Sequence, residues 1–488
     1  MQLPVKLDPR DDRILQVQLF DAIRQLILGG RLKPGMLMPS TRALSQQLGV
    51  SRNTVTLTYN RLIDEDYLYC RKTVGTFVNA NLPEKFLTLN HYETSAPVPD
   101  EQKAERQPVL FKGRAQAVVN PKRHKLVVDF WVGRPDPHSF PLNTWRRLTL
   151  HNLAFSGSNL TEYNDPAGIH GLRQAIAEYL GPARGIQAAA EQVIVVSGSQ
   201  QALNLVARLM IGSETPVVLE CPCYQGAAYV FESYGAKLHP VKVDHAGLDV
   251  SRLPRQRVSL IYVTPSHQYP MGATLTLERR LLLLEWARET GAYIVEDDYD
   301  SDFRHHGSPL TAVAGLDPHG CVIYMGTFSK SIGAGLRLGY LVVPKALVKP
   351  ASTVKALMDN GHSWLEQAVL ADFIASGAYA RHLRQIRHTY LKRRDCLIAT
   401  LRQHFGEVTL AGLEGGMHIV WYLPESFPSA AEVQDIAQDA GVGLYALEGA
   451  AACDLCCDGC GGRIMVIGYS SVTEEQIREG ISRLANAL

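Results

Sequence analysis

A chain in two parts, a small winged helix-turn-helix head joined to a large α/β body, is the multi-domain fold that the sequence predicts. Two observations predict it. Residues 11–80 hold three helical segments with start and stop signals, then a short alternating stretch with a glycine. From about residue 190, short apolar β-branched runs alternate with helical stretches. A length of 488 residues suffices for two or three separate cores.

The head comes first. In DDRILQVQLFDAIRQLIL (11–28), Leu15, Leu19, Ala22, Ile23, Leu26 and Ile27 recur at helical spacing, and Gly29-Gly30 ends the helix. Ser40 is placed to cap a short helix that stops at Gly49, and Ser51 to cap the next one. On that second helix Val55, Tyr59, Leu62 and Ile63 face one way, whereas Arg52, Asn53 and Thr56 face the other. Two short helices across a glycine turn form the unit whose second helix presents its N-terminal polar residues to the major groove. RKTVGTFV then alternates around Gly75, as a β-wing does. Residues 1–80 carry 11 Lys and Arg against 7 Asp and Glu, a mild excess that suits a DNA reader, while the whole chain sums to +1.

This stretch resembles the winged helix of GntR-type regulators. The resemblance implies double-stranded DNA with repeated half-sites as a partner, with Arg42, Ser51, Arg52, Asn53 and Thr54 on the DNA side. The wing departs from the glycine-rich pattern, reading Thr73-Val74-Gly75-Thr76. The expected domain spans 1–80. Residues 81–124 are polar, Pro-containing and aperiodic, and read as a flexible linker.

In the body the runs are VIVV (193–196), PVVLE (216–220), SLIYVTP (259–265), AYIVEDD (292–298), CVIYMGT (321–327) and LGYLVV (338–343). Their alternation with helices predicts a largely parallel sheet covered on both faces, with ligands at the carboxyl ends of the strands. SGSQQALNLVARLM follows VIVV directly, and a Ser/Gly turn opening a helix is either a phosphate site or an ordinary strand–helix turn. AYIVEDDYD sets Asp297 and Tyr299 at a strand end, as cofactor partners, a helix cap or metal ligands. TFSK offers Lys330 among hydroxyls, and Arg337 follows it. A buried ammonium is costly, so a lysine here asks for an aldehyde, the Ser/Thr-Gly-Arg set for a phosphate, and the carboxylate for a basic ring nitrogen. Pyridoxal 5′-phosphate answers all three, as an electron sink held through a Schiff base.

Residues from about 126 onward resemble a fold-type I aminotransferase. The carriers are EYNDPAGIHGLRQAIAEYL (162–180), ECPCYQGA (220–227), TPSHQYPMG (264–272), EDDYDSDFR (296–304), TFSK with GLRLGY, and GGRIMVIGYS (461–470). Head, linker and body in one chain resemble the MocR/GabR subfamily of GntR regulators. The resemblance implies a body over 125–488, with a large subdomain at about 165–350. A small subdomain at about 351–488, joined by the 125–160 arm, completes it.

It further implies that Lys330 forms the Schiff base, Asp297 pairs with the pyridine nitrogen, Tyr299 with the ring hydroxyl, and Tyr224 stacks on the ring. Ser199, Gln200, Thr327, Ser329 and Arg337 hold the phosphate, and Tyr163 reaches the phosphate of the partner in a homodimer, domain-swapped in one arrangement. Arg463 matches the arginine that binds a substrate carboxylate; a surface ion pair is its plainer reading. Tyr269 stands where aminotransferases often carry an Asn that contacts the ring hydroxyl, which leaves His267 or Gln268 to compensate.

The function implied is a regulator that senses a small amine or amino acid, or pyridoxal phosphate itself, by aldimine chemistry at Lys330. The alternative is an active aminotransferase with an accessory DNA-binding domain. CDLCCDGCGG (453–462) gives Cys453, Cys456, Cys457 and Cys460 CxxC spacings, read as reduced thiols with a metal or redox role as the lesser alternative. Nine cysteines without regular pairing, no apolar leader and no apolar run of about 18 residues predict a soluble cytoplasmic chain that spans no membrane.

Overall fold

The computed structural model describes residues 3–5, 7–8, 13–71, 73–80, 82, 111, 113–115, 125–305, 310–456 and 460–488, without the side chains of 460 and 461. The linker expected over 81–124 falls almost wholly outside that set. The chain divides into two compact units, residues 1–109 and 110–488. Among the described residues no helix is long and apolar enough to cross a membrane.

In the first unit α1 (Leu15–Leu28), α2 (Thr41–Leu48) and α3 (Arg52–Asp64) precede β1 (Leu68–Arg71) and β2 (Gly75–Val78). The Ser40 hydroxyl accepts from the Ala43 amide at 3.2 Å and starts α2. Gly49, at φ +67°, ends it in the left-handed region that glycine enters without penalty. Leu19, Ile23, Leu44, Val55, Leu62 and Val78 close one small core. The two strands pair antiparallel, with Arg71 opposite Gly75, and form the wing.

The second unit opens with β3 (Val128–Asp129), α4 (Leu142–Ala154) and α5 (His170–Arg184). There follow β4 (Val193–Val196), α6 (Ser199–Met210), β5 (Thr215–Cys221), β6 (Cys223–Tyr224), α7 (Gln225–Ser233), β7 (Ala236–Asp244), β8 (Gly247–Leu248) and β9 (Leu260–Val263). Next come α8 (Leu277–Thr290), β10 (Tyr293–Asp298), α9 (Val313–Leu316), β11 (Val322–Thr327) and β12 (Gly339–Val342). Eight of these strands form one sheet in the order β4-β12-β11-β10-β9-β5-β7-β8. Successive residues Ile294 and Val295 of β10 belong to different apolar clusters, because alternate side chains point to opposite faces and both faces are covered.

Strand β12 departs from the parallel expectation: it runs antiparallel to both β11 and β4. A parallel return needs a crossover of a dozen or more residues, commonly a helix. The chain between β11 and β12 is a compact turn of short helical pieces, so the strand comes back the other way.

The remainder is α10 (Val348–Asp359), α11 (Trp364–Ala375), α12 (Ala378–Phe405), β13 (Thr409–Ala411), β14 (His418–Tyr422), α13 (Ala430–Asp439), β15 (Val442–Gly443), β16 (Tyr445–Ala446), β17 (Ala452–Cys453), β18 (Ile464–Gly468) and α14 (Glu474–Ala487). Strands β13, β14, β18 and β16 make a second, antiparallel sheet. The early strand β3 pairs with β15, which ties the 125–160 arm to this C-terminal part.

Candidate functional site

The carboxyl ends of β4, β10 and β11 meet at a cavity of about 180 Å³ whose wall includes Gly133, Ser199, Tyr224, Tyr262, Asp297, Tyr299 and Lys330. An engineered cavity of about 150 Å³ holds benzene, so this one has room for a small aromatic ring. Lys330 is half-buried, and its Nζ donates to the Gly133 carbonyl at 2.9 Å. Burial disfavours its ammonium and lowers its pKa, while Asp300 and Asp297 pull the other way.

Asp297, buried at the end of β10, accepts from the Tyr262 hydroxyl at 2.7 Å. Burial pushes its carboxyl up to about 7. Tyr299 donates to the His267 carbonyl at 3.0 Å. Tyr224 and Tyr269 stand edge to face, ring centroids 6.0 Å apart, and Tyr269 and Tyr299 do the same at 5.8 Å. The Tyr269 hydroxyl is taken by the Ala450 carbonyl.

At one end of the cavity helix α6 begins. Gly198 precedes it at φ +82° and no side chain caps it, so first-turn N–H groups and the positive end of the helix dipole face outward. Glycine is needed there for its positive φ, and the tip of Arg337 lies against it, 2.9 Å from where a Cβ would stand. Arg337 donates to the Ser197 carbonyl. Thr327 lies opposite Gly339, which in turn lies opposite Val196, so β11, β12 and β4 bring Thr327 beside the start of α6. The Thr327 hydroxyl accepts from the Ser329 amide at 3.1 Å, and Gln200 donates to the Tyr224 hydroxyl at 3.1 Å.

Several expected residues are placed otherwise. Arg463 is exposed and absent from the cavity wall; its guanidinium donates to the carbonyls of Pro424, Glu425 and Phe427. The peptide oxygens of the 424–427 loop satisfy it, and its assignment to an effector carboxylate rests on the motif alone. His267 lies behind Tyr299, with Nδ1 2.8 Å from Asp300 Oδ2, and positions that ring instead of touching the cavity. Gln268 turns to Glu220 and to the carbonyls of Pro222 and Tyr269, so neither residue replaces the Asn absent at Tyr269. Tyr163 is 90% exposed and lines no part of its own cavity.

Tyr262 belongs to no motif in the sequence. Its only signal is a tyrosine inside the apolar run SLIYVTP, and its partner Asp297 lies 35 residues away. Trp131 and Gly133 of the wall come from the arm, where no motif marked them.

On the head Arg42, Arg52 and Asn53 are exposed, with Arg52 Nε 3.3 Å from Thr41 Oγ1. Ser51 and Thr54 are occupied otherwise: the Ser51 hydroxyl accepts from the Thr54 amide at 3.0 Å and meets the Thr54 hydroxyl at 2.8 Å. Both therefore serve the start of α3.

Comparison with known proteins agrees with this architecture. Residues 127–484 match the model for aminotransferase class I and II, and residues 15–78 that for bacterial regulatory proteins of the gntR family. The chain is 37% identical to a probable rhizopine catabolism regulatory protein, MocR, of Rhizobium meliloti, over 99% of this chain and 95% of that one. It is 32% identical to the HTH-type transcriptional regulator TauR of Rhodobacter capsulatus over the full length of both. Among solved structures, the α-aminoadipate aminotransferase LysN of Thermus thermophilus, complexed with N-(5′-phosphopyridoxyl)-L-leucine, superposes with a TM-score of 0.67 at 27% identity. That match covers 75% of this chain and 92% of that one.

Proposed function

The chain belongs to the MocR-type subfamily of GntR transcriptional regulators, with an aminotransferase class I and II body, and on that premise we propose that the body binds pyridoxal 5′-phosphate and senses a small amine. One observation carries the reading: a lysine with a lowered pKa, a buried carboxyl and an uncapped helix start beside an arginine meet at one cavity. The donor set fits the cofactor. When bound, it supplies an aldehyde for an amine and a ring that withdraws electrons.

Asp297 is the acid for the ring nitrogen, and Tyr262 holds it in place through 2.7 Å. A cation at that nitrogen favours the ionised carboxylate against the burial that raises it to about 7. Tyr299 presents its hydroxyl to the ring, backed by His267 and Asp300. Tyr224, on the cavity wall, would stack on the ring. Ser199, Gln200, Thr327, Ser329 and Arg337 bind the phosphate with the first-turn amides of α6, in the manner of anions at helix N-termini. Burial shifts the Lys330 amine toward its neutral form, the form that condenses with an aldehyde.

A homodimer is part of this reading. Exposed Leu142, Leu150, Phe155 and Leu160 flank exposed Tyr163, which supports burial of this stretch against a partner and a role for Tyr163 at the partner's phosphate. The head binds operator DNA through Arg42, Arg52 and Asn53.

The reading is tested by titrating purified protein with pyridoxal phosphate and then screening amines and amino acids by absorbance. The visible absorbance of lysine-bound pyridoxal should develop and shift with particular amines. A protein that takes up no cofactor from excess pyridoxal phosphate refutes it.

A further inference from the structure

The run CDLCC at 453–457 does not stand alone. Strand β17 pairs antiparallel with β6, so that Cys453 lies opposite Cys223 and Ala452 opposite Tyr224. Two pairs of cysteines, C-x-C at 221–223 and C-x-x-C at 453–456, are thereby folded onto one another across some 230 residues of chain. The sulfurs of Cys223 and Cys453 are 3.6 Å apart. Cys221 Sγ lies 3.1 Å from Asp454 Oδ1 and accepts the Cys456 amide at 3.0 Å. Ligand atoms of Cys221, Asp454 and Cys456 all lie within 4.8 Å of one another.

Ligands at about 2.0–2.3 Å around a tetrahedral zinc ion stand between 3 and 4 Å apart, roughly the spacing found here. The chemistry of the set agrees with its geometry. Two thiols and a carboxylate converge, Cys221 buried and Cys456 with Asp454 half-buried, and thiolate with carboxylate is a donor set that suits a zinc-class cation. Arg114, whose charge acts on Cys453, is engaged with Glu232 at 2.7 Å.

We propose that Cys221, Cys456 and Asp454 form a three-residue binding site for one divalent cation of the zinc class, with the fourth position open to water. The site has a place in the body's architecture. Ala450 and Ala451 belong to the cavity wall, and the Ala451 carbonyl accepts from the Gln225 amide at 3.0 Å beside Tyr224. A metal held between the end of β5 and the segment after β17 pins that wall. Because the ligands must be deprotonated, binding releases protons and weakens as pH falls.

The test uses the full chain, purified under reducing conditions, incubated with Zn²⁺, desalted and assayed for metal, with Co²⁺ as the spectroscopic substitute. About one zinc per chain should be retained, and the cobalt form should show thiolate-to-metal charge transfer. Cys221→Ser with Cys456→Ser should abolish retention, and Asp454→Asn, an isosteric change in a surface segment, should lower affinity about tenfold or more. Both variants should still bind pyridoxal phosphate, which separates loss of the metal from loss of the fold and from failure of the cofactor reading. The proposal is overturned if the parent retains no zinc, if the double variant retains as much as the parent, or if chains alkylated before lysis carry a Cys221–Cys456 disulfide.

Discussion

In the cavity of the body, Lys330, Asp297, Tyr262 and Tyr299 are held by one another and by backbone carbonyls, out of bulk water. On helix α3 of the head, Arg52 and Asn53 stand in water with at most one weak local contact. The difference teaches where a substitution should be all-or-none and where it should be graded. Removing a buried partner strands the group it satisfied, at the full desolvation penalty. Removing an exposed one returns its surroundings to water and costs only what it gained on the DNA.

The largest expected effect is at the lysine. Lys330→Ala should abolish the visible absorbance of the bound cofactor while the far-ultraviolet circular dichroism is unchanged. Persistence of that absorbance would move the attachment elsewhere. Asp297→Ala comes next: loss of the ring nitrogen's acid should weaken cofactor binding by about 3–5 kcal/mol, the range for breaking a buried pair. Equal affinity by titration would end the assignment of Asp297 and erase the contrast between the two regions.

The pH dependence sharpens the same contrast. Burial raises Glu220, Glu296 and Asp297 each to about 7. Between about pH 4 and pH 7 the unfolded chain ionises these groups while the folded chain keeps them protonated. The unfolded state gains, so stability of the cofactor-free body should fall as pH rises through that window and level off above it. Each group contributes at most about 1.4 kcal/mol per pH unit. Asp297→Asn should flatten the slope of Tm against pH, as should saturating pyridoxal phosphate, whose ring cation favours the ionised carboxylate. Identical slopes in parent and variant would show that Asp297 does not titrate there.

On the head, Arg52→Ala should cost about 1–3 kcal/mol on the operator and less on random DNA. An equal loss on both would make Arg52 a phosphate contact. The smallest effect is Ser51→Ala, about 1 kcal/mol of head stability from the lost cap, seen in thermal unfolding, with operator contacts otherwise kept.

How much of this was legible in the sequence follows from what each feature depends on. Lys330, Asp297, Tyr299 and Ser199 sit at strand ends next to their turns, and local pattern suffices to place such residues at one edge of the sheet. The capped helices of the head are local too. Arg463 shows the limit: a motif placed its backbone just before β18, but the choice between cavity and the 424–427 carbonyls belongs to a long, flexible side chain. Tyr262 with Asp297, and Cys223 with Cys453, are pairings between elements 35 and 230 residues apart, and no window along the chain contains both members. The antiparallel β12 was missed because an apolar run has no direction; the short turn before it does.

In the proposed regulator, ligand chemistry in the cavity controls DNA binding by the head. The most direct measurement is operator affinity of the full chain, with and without saturating pyridoxal phosphate and an amine that shifts its absorbance, in the parent and in Lys330→Ala. The account predicts a change of about 1–3 kcal/mol on ligand addition in the parent, the usual size of a coupling between sites, and none in the variant. Operator affinity indifferent to every ligand in the parent, together with rapid conversion of the amine to a keto product, would contradict it and favour an aminotransferase that carries a DNA-binding head.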